Sequence, residues 1–416
     1  MRATVDRSSH TTAGEPADVL VIGASAAGLT TVEALRRQGF TGPVTVLGAE
    51  KHPPYDRPPL SKQVLAGVWE PERAQLRPEK ALSALGAEFV LGDPAAGLDA
   101  AARTVHTASG RTLRADAIVV ATGTRPRTLP GQEALAGVHY LRTLDDALAL
   151  RAGLSRSTRP VVVGDGVLGA EIAATARTMG LDVTLAGPQH APMASQLGHG
   201  VADLLALLHT GRGVGTRPGA GVRGLTSSAG TVTGVALDNG EVLPADLVVV
   251  AIGVVPVTDW LQDSGLRIDN GVVCDSRCRA AEGVYAVGDV ARWHHDGLGR
   301  LLRLENRTNA GEQAMTVAAN ILGADRAYTP VPYFWTDQFE TKIQVHGAVP
   351  AGAGAEMTVV EGDPATGRFV ARYRHEGRVT GVLGWNMPKQ TRLRRQEVVD
   401  ALAAGRPDPA ASGAPR

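Results

Sequence analysis

The chain has 416 residues, more than one ordinary core holds, so two or three domains are expected. Apolar residues make up 44% and charged residues 20%, a balance that excludes a disordered or fibrous chain. Lys plus Arg and Asp plus Glu both number 42, so the formal net charge is zero and offers no global field for nucleic acid or an anionic membrane.

Residues 1–16 are polar and lack the apolar core of a secretory signal; like the Pro/Ala/Gly tail 407–416, they are expected to be unstructured. The first strand is Val19-Leu20-Val21-Ile22, and it breaks at Gly23-Ala24-Ser25-Ala26-Ala27-Gly28 before a helical stretch through Arg37. A dinucleotide turn needs a tight bend at the first glycine, close backbone approach at the middle position and close helix packing at the last. Amides at the helix start then bind the pyrophosphate. Ser25 takes the middle place, where glycine is usual but a small residue still admits phosphate. A second strand follows at 44–47, and Glu50 lies 22 residues past Gly28, the distance at which a carboxylate accepts from a ribose. A glycine-rich loop beside an incidental acid is the plain alternative, and the flanking strand and helix argue against it.

The same grammar returns at Val161-Val162-Val163, Gly164-Asp165-Gly166-Val167-Leu168-Gly169, a helix to Met179 and a strand at 183–185. Two dinucleotide-binding domains in one chain follow. After Leu185 the sequence runs Ala186-Gly187-Pro188-Gln189-His190, with no acid to favour NAD and no arginine to favour the 2′-phosphate of NADP. The choice between NADH and NADPH stays open, and Gln189 and His190 read best as loop residues. The longest apolar run, 247–257, is too short for a bilayer and predicts one buried strand. Cys274 and Cys278 are the only cysteines, which excludes a disulfide scaffold and fits a soluble protein of a reducing cytoplasm. No His/Cys cluster has metal-ligand spacing, and His294-His295 alone is a weak signal, so no metal is expected. Beyond Tyr328 the aromatics Tyr333, Phe334, Trp335, Phe339, Phe369, Tyr373 and Trp385, with alternation from Lys342, predict a smaller antiparallel α+β domain.

Several short segments, in order beside the two glycine turns, carry a resemblance. Asp56-Arg57-Pro-Pro-Leu-Ser-Lys62, Ala121-Thr122-Gly123, Tyr285-Ala-Val-Gly288-Asp289, Glu305-Asn-Arg307-Thr308-Asn-Ala310 and Pro332-Tyr-Phe-Trp335-Thr-Asp337 resemble the FAD-dependent NAD(P)H:ferredoxin reductases of P450 and Rieske-type oxygenase systems, the putidaredoxin reductase and rubredoxin reductase type. The likeness runs from Asp18 to Gly405. It implies an α/β fold of the two-dinucleotide flavoprotein type, with two Rossmann-like domains and a small C-terminal α+β domain. The boundaries it suggests are 17–124 with 254–329 for FAD, 125–253 for NAD(P) and 330–406 for the last domain.

By that resemblance, Gly23, Ser25, Ala26, Ala27, Gly28, Glu50, Arg57, Ala121, Thr122, Gly123, Gly288, Asp289, Arg307, Thr308 and Ala310 hold FAD, with Asp289 accepting from the ribityl chain. Gly164, Gly166, Val167, Leu168, Gly169, Glu171 and Gly253 serve the nicotinamide nucleotide. The helix starting at 306–310 points its N-terminus at the flavin pyrimidine, where it stabilises negative charge. Arg307 replaces a common tryptophan there and either adds its own charge or faces solvent. Trp335 lies against the isoalloxazine ring, whereas Phe334 reads as a core residue. Lys62 and Glu171 form an ion pair beside the nicotinamide; as residue types alone they are equally two surface charges.

The implied reaction moves hydride from nicotinamide C4 to flavin N5, after which single electrons go to a docked ferredoxin-type iron–sulfur protein that serves a P450 or other oxygenase. Disulfide reductases of this layout carry a cysteine pair in the helix after the first glycine turn, and this chain has none there. Candidate docking cations are Arg300, Arg303 and Arg307, or Lys389, Arg392, Arg394 and Arg395, the latter equally a solvated helix face. The alternatives are an NADH oxidase or quinone reductase, and, ranked lower, a redox-responsive binding protein resembling apoptosis-inducing factor.

Overall fold

A computed structural model describes residues 15–404, so all but Glu15 and Pro16 of the two termini expected to lack structure fall outside it. The chain divides into two compact units. The first takes the chain up to Pro54, then Arg77–Gly123 and Val257–Thr329; the second takes Tyr55–Leu76, Thr124–Pro256 and the chain from Pro330.

In the first unit the main sheet runs in the order Arg279–Ala281, Val284–Ala286, Ala117–Val120, Val19–Ile22, Val44–Gly48, Glu88–Leu91. Val19–Ile22 is its centre, in parallel register with Val44 on one side and Ala117 on the other. Its residues are buried on both faces, which is why the sequence reads as an unbroken apolar run instead of an alternation. The chain moves to opposite sides of this strand, so its carboxyl end is the switch point where nucleotides bind in such sheets. Helices Ala26–Arg37 and Arg307–Ile321 pack against each other over it. Trp293 is fully buried in the same core, its indole N–H donating to the Tyr328 carbonyl at 3.0 Å.

The second unit repeats the plan with a sheet ordered Gly215–Arg217, Thr184–Ala186, Pro160–Val163, Leu247–Val250, Val138–His139. It also contains an antiparallel sheet of Tyr333–Gln338, Thr341–Gly347, Arg378–Trp385, Arg368–His375 and Ala355–Asp363, followed by the helix Pro388–Ala404. One cluster fuses the two parts: Ala170, Met193, Leu197 and Leu205 pack with Ile343, Phe369, Tyr373 and Trp385. The segment Tyr55–Leu76 belongs here too. Its Leu60, Val64 and Leu65 are buried against Ile172, Ala173 and Ala176, each contributing about 2 kcal/mol of transfer free energy.

The apolar run 247–257 is not one strand. Leu247–Val250 joins the parallel sheet, and the chain then bends through Gly253, at φ +95°, into Val254–Pro256, which pairs antiparallel with Thr124–Pro126. The parallel partner ends at Val163, so the run has no ladder to follow beyond Ala251, whose amide makes the last bond to Val163 O. Among the described residues, no helix is long and apolar enough to cross a membrane.

Candidate active site

The first glycine turn lies at the end of the central strand of the first unit. Gly23 sits at φ +126°, and a Cβ there would lie 2.2 Å from the carbonyl oxygen of Ala121. A Cβ on Gly28 would lie 1.9 Å from Gly23 O, so the helix approaches the turn at a distance only glycine permits. Ser25 is the N-cap, extended at φ −115°, and makes no side-chain capping bond. The amides of Ala26, Ala27 and Gly28 open the helix, where backbone donors lack intrahelical acceptors. This is a cradle of the size and polarity that a pyrophosphate fits.

Around it gather the other expected FAD residues of this unit. Ala121 N donates to Ile22 O at 2.7 Å, and Thr122 Oγ1 donates to Val257 O at 2.9 Å. Gly123 turns the chain at φ +68° and its carbonyl accepts from Val257 N. Glu50 lies two residues past Val44–Gly48, half-buried, its own carbonyl taking the Gly92 amide. A Cβ on Gly288 would stand 3.1 Å from Ala27 Cβ and 3.7 Å from Ala310 Cβ, so Gly288-Asp289 meets the starts of both packed helices. Asn306 caps the second of them by accepting from Asn309 N at 2.7 Å, leaving Arg307 and Thr308 in its first turn. Arg307 does not point off the helix end: its guanidinium lies back along the helix, 3.5 Å from where a Gly311 Cβ would be.

In the second unit, the complete glycine turn is built the same way. A Cβ on Gly164, at φ +108°, would lie 2.2 Å from Ala251 O, and one on Gly169 only 1.8 Å from Gly164 O. Gly166, by contrast, faces open space: nothing lies within 4 Å of a Cβ there. The position directly precedes the helix start at Val167 and Leu168, where backbone donors lack intrahelical acceptors. Gly253 accepts from Arg127 N at the nearby chain bend.

Asp165, inside this turn, organises the following strand's exit. Its carboxylate accepts from Gln189 N and Gln189 Nε2, both at 2.8 Å, and Gln189 Oε1 accepts from Ser195 N. Gln189 is therefore committed to the loop. His190 stacks on His199 with ring centroids 4.2 Å apart and lies 3.3 Å from Asp203. Asp165 thus ties the glycine turn to the loop after Thr184–Ala186, a role that neither its type nor its position announced.

Lys62 and Glu171 meet in this unit. Lys62 Nζ lies 2.6 Å from Glu171 Oε2, with side chains 13% and 7% exposed. Lys62 also donates to Pro58 O, and Thr175 Oγ1 donates to Ser61 O, so the proline-rich turn is tied to the helix that carries Glu171. Two further partners were not foreseen: Ser61 Oγ donates to Glu171 Oε2 at 2.6 Å, and Thr336 Oγ1 to Oε1 at 2.8 Å. Thr336 alternates with Trp335 in Tyr333–Gln338. That period-two pattern puts Phe334 and Thr336 on the packed face and Trp335 on the other, half-buried and stacked on Tyr333 at 5.9 Å. Arg57 donates to Tyr55 Oη at 3.1 Å and to Arg142 O at 2.5 Å.

Cys274 and Cys278 are unpaired and buried in the first unit. Burial pushes both thiols up, Cys278 to about 12 against the opposing bond from Gln313, so neither yields a reactive thiolate near neutral pH. Of the candidate cations, Arg303 pairs with Glu305 at 2.6 Å, and Arg394 with Glu361 and Glu397. Lys389, Arg392 and Arg395 are exposed on Pro388–Ala404 with no ion pair among the described residues. No group of three or more potential metal ligands occurs among the described residues.

Comparison with known proteins agrees with this architecture. Residues 17–314 match the pyridine nucleotide-disulphide oxidoreductase family and residues 333–413 match the reductase C-terminal family. The chain is 37% identical over 373 residues to rhodocoxin reductase of Rhodococcus erythropolis, covering 89% of this chain and 87% of that one. It is 37% identical over 393 residues to the ferredoxin–NAD(+) reductase component of the anthranilate 1,2-dioxygenase system of Burkholderia cepacia, covering 94% and 95%. A solved structure, the covalent putidaredoxin reductase–putidaredoxin complex, is similar with a TM-score of 0.87 and 33% identity over 94% of both chains. The two cradles and the C-terminal sheet thus define an oxidoreductase with the fold of the two-dinucleotide flavoprotein reductases. The chain belongs to the pyridine nucleotide-disulphide oxidoreductase family.

Proposed function

We infer that this protein is an FAD-dependent reductase that takes hydride from NAD(P)H and passes single electrons to a ferredoxin-type iron–sulfur protein serving a P450 or other oxygenase. The observation that carries the reading is the presence of two glycine cradles, at Gly23–Gly28 and Gly164–Gly169, in a chain with relatives named as reductase components of dioxygenase systems. Bound FAD supplies the chemistry: it accepts two electrons as hydride and releases them one at a time.

The chain's own residues bind and orient. In this reading 17–124 and 254–329 are the FAD-binding part of the chain, with 55–76 packed on the NAD(P)-binding part 125–253, and 330–406 form the third domain. The amides of Ala26, Ala27 and Gly28 hold the FAD pyrophosphate, Glu50 its ribose and Asp289 its ribityl hydroxyls, while Ala121, Thr122 and Gly123 line its approach. The start of Arg307–Ile321, with Thr308 and Ala310, offers the helix's positive end to the flavin pyrimidine. Arg57 and Trp335 complete the set of FAD candidates. Val167, Leu168 and the glycines on either side hold the nicotinamide dinucleotide, and the Lys62–Glu171 pair places its reactive end. A cytoplasmic setting suits the two unpaired thiols.

The test is anaerobic turnover with NADH and NADPH against three acceptors: oxidised putidaredoxin, a benzoquinone and, on readmission, oxygen. Preferred reduction of the iron–sulfur protein is expected. Faster turnover with quinone or oxygen would replace this reading with an oxidase or quinone reductase.

A further inference from the structure

A directed chain of buried hydrogen bonds ends on Glu171. Thr336 gives its one hydroxyl proton to Glu171 Oε1, so its oxygen is left as an acceptor, and Gln338 Nε2 donates to it at 3.1 Å. The same amide nitrogen reaches Met193 Sδ at 3.2 Å. This fixes the amide orientation, because an acceptor facing Thr336 would find no proton. Gln338 Oε1 then faces His209 Nε2 at 2.6 Å and only accepts, so Nε2 carries the imidazole proton. His209 Nδ1 is left bare, buried without a partner.

Every donor from His209 inward therefore points towards the carboxylate that neutralises Lys62. His209, Thr336 and Gln338 are at most 1% exposed, so each bond is strong and a missing one is costly. Burial lowers the basicity of His209 against the opposing bond from Gln338, which keeps the ring neutral as the chain requires. Phe339 meets the imidazole edge-on, at 5.4 Å and 72°, and holds its plane. Apolar side chains would fill such a space without desolvation cost. What the polar set adds is a fixed direction for Glu171.

We propose that His209 is a positioning residue that acts through Gln338 and Thr336 to hold Glu171 against Lys62, and so sets how the nicotinamide end of NAD(P)H is placed. The proposal rests on the functional reading above and extends it to a helix, His199–Gly211, that has no part in either glycine turn.

The FAD-loaded protein tests it, with NADH as probe and the rate of flavin bleaching on rapid anaerobic mixing as readout, beside NADH KM, FAD content and melting temperature. His209→Leu is expected to slow bleaching at saturating NADH about tenfold with FAD content unchanged. His209→Gln, whose amide N–H substitutes for Nε2–H, is expected to recover to within about twofold. In a Glu171→Ala background the leucine change should add nothing, because the chain then has no terminus to act on. Should His209→Leu fail to fold, Thr336→Val cuts the same chain with almost no change of volume and should show the same tenfold slowing. Bleaching at the wild-type rate in the cut variants overturns the proposal. So does equal slowing with and without Glu171, or failure of glutamine to rescue. Wild-type protein that bleaches normally keeps the functional reading standing whatever the variants do, whereas wild-type protein that NADH cannot bleach overturns both.

Discussion

Glu171 and Lys62 are separated by 109 positions in the chain and by 2.6 Å in the fold, where the carboxylate closes the proline-rich turn onto the helix of the second glycine turn. Both side chains are largely withdrawn from water, so each depends on the other to offset its desolvation. Truncating one leaves the other stranded. Glu171→Ala is expected to lower unfolding free energy by about 3 kcal/mol. The double change Lys62→Met, Glu171→Leu should recover most of that loss but not NADH turnover. Denaturant unfolding of the FAD-loaded variants, run beside turnover assays, separates the two effects.

The two cradles should fail independently. A methyl on Gly169 meets backbone at 1.8 Å, which no side-chain rotation relieves. Gly169→Ala is therefore expected to raise NADH KM at least about tenfold while FAD is retained. Gly28→Ala, with its contact at 1.9 Å, should instead yield protein that purifies with little FAD. Flavin content and NADH KM, measured on both, check the assignment of each turn.

Lys389, Arg392 and Arg395 recur every three residues on Pro388–Ala404 and make no ion pair among the described residues. Arg392→Glu with Lys389→Glu is expected to lower kcat/KM for putidaredoxin about tenfold at low ionic strength, with the difference fading as salt rises. Reduction of ferricyanide, a small acceptor, should change little. An effect that ignores salt would remove this face from consideration.

Acid should weaken the second unit through His346. Burial, helped by the nearby Arg395 charge, pushes its basicity down to about 4, and its ring stacks on Tyr333 at 4.6 Å. The unfolded chain takes up a proton at the ordinary histidine value, which the folded chain refuses until about 4. Stability contributed by the neutral ring is thus present above about 6.5 and lost as pH falls towards about 4. His346→Phe keeps a stacking ring and should flatten the fall in melting temperature across that interval.

Relatives by family name include disulphide oxidoreductases, yet both thiols here are buried and held protonated. Cys274→Ala with Cys278→Ala is expected to leave NADH-to-putidaredoxin turnover within about twofold of wild type. A loss of one order of magnitude would show that a thiol takes part.

What was legible in the sequence had a hard steric cause. Gly23, Gly28, Gly164 and Gly169 announce themselves because no Cβ fits, and Val19–Ile22 because a strand buried on both faces admits only apolar residues. The Lys62–Glu171 contact came only through resemblance, since no local period links positions so far apart. Thr336, Gln338 and His209 gave no signal: a polar residue on a buried strand face reads like one on a solvated face until its partners are known. The run 247–257 misled for a related reason, because hydropathy records burial and not the ladder, and the ladder ends with Val163.

The account turns on electrons entering from a nicotinamide and leaving singly to an iron–sulfur centre. Anaerobic rapid mixing of the FAD-loaded protein with NADH, then with excess oxidised putidaredoxin, addresses this in one experiment. The visible flavin absorbance should fall on the first addition and return on the second, with two equivalents of iron–sulfur protein reduced per flavin, as a hydride carries two electrons. An absorbance that falls with NADH but stays low until oxygen or quinone is admitted would contradict it.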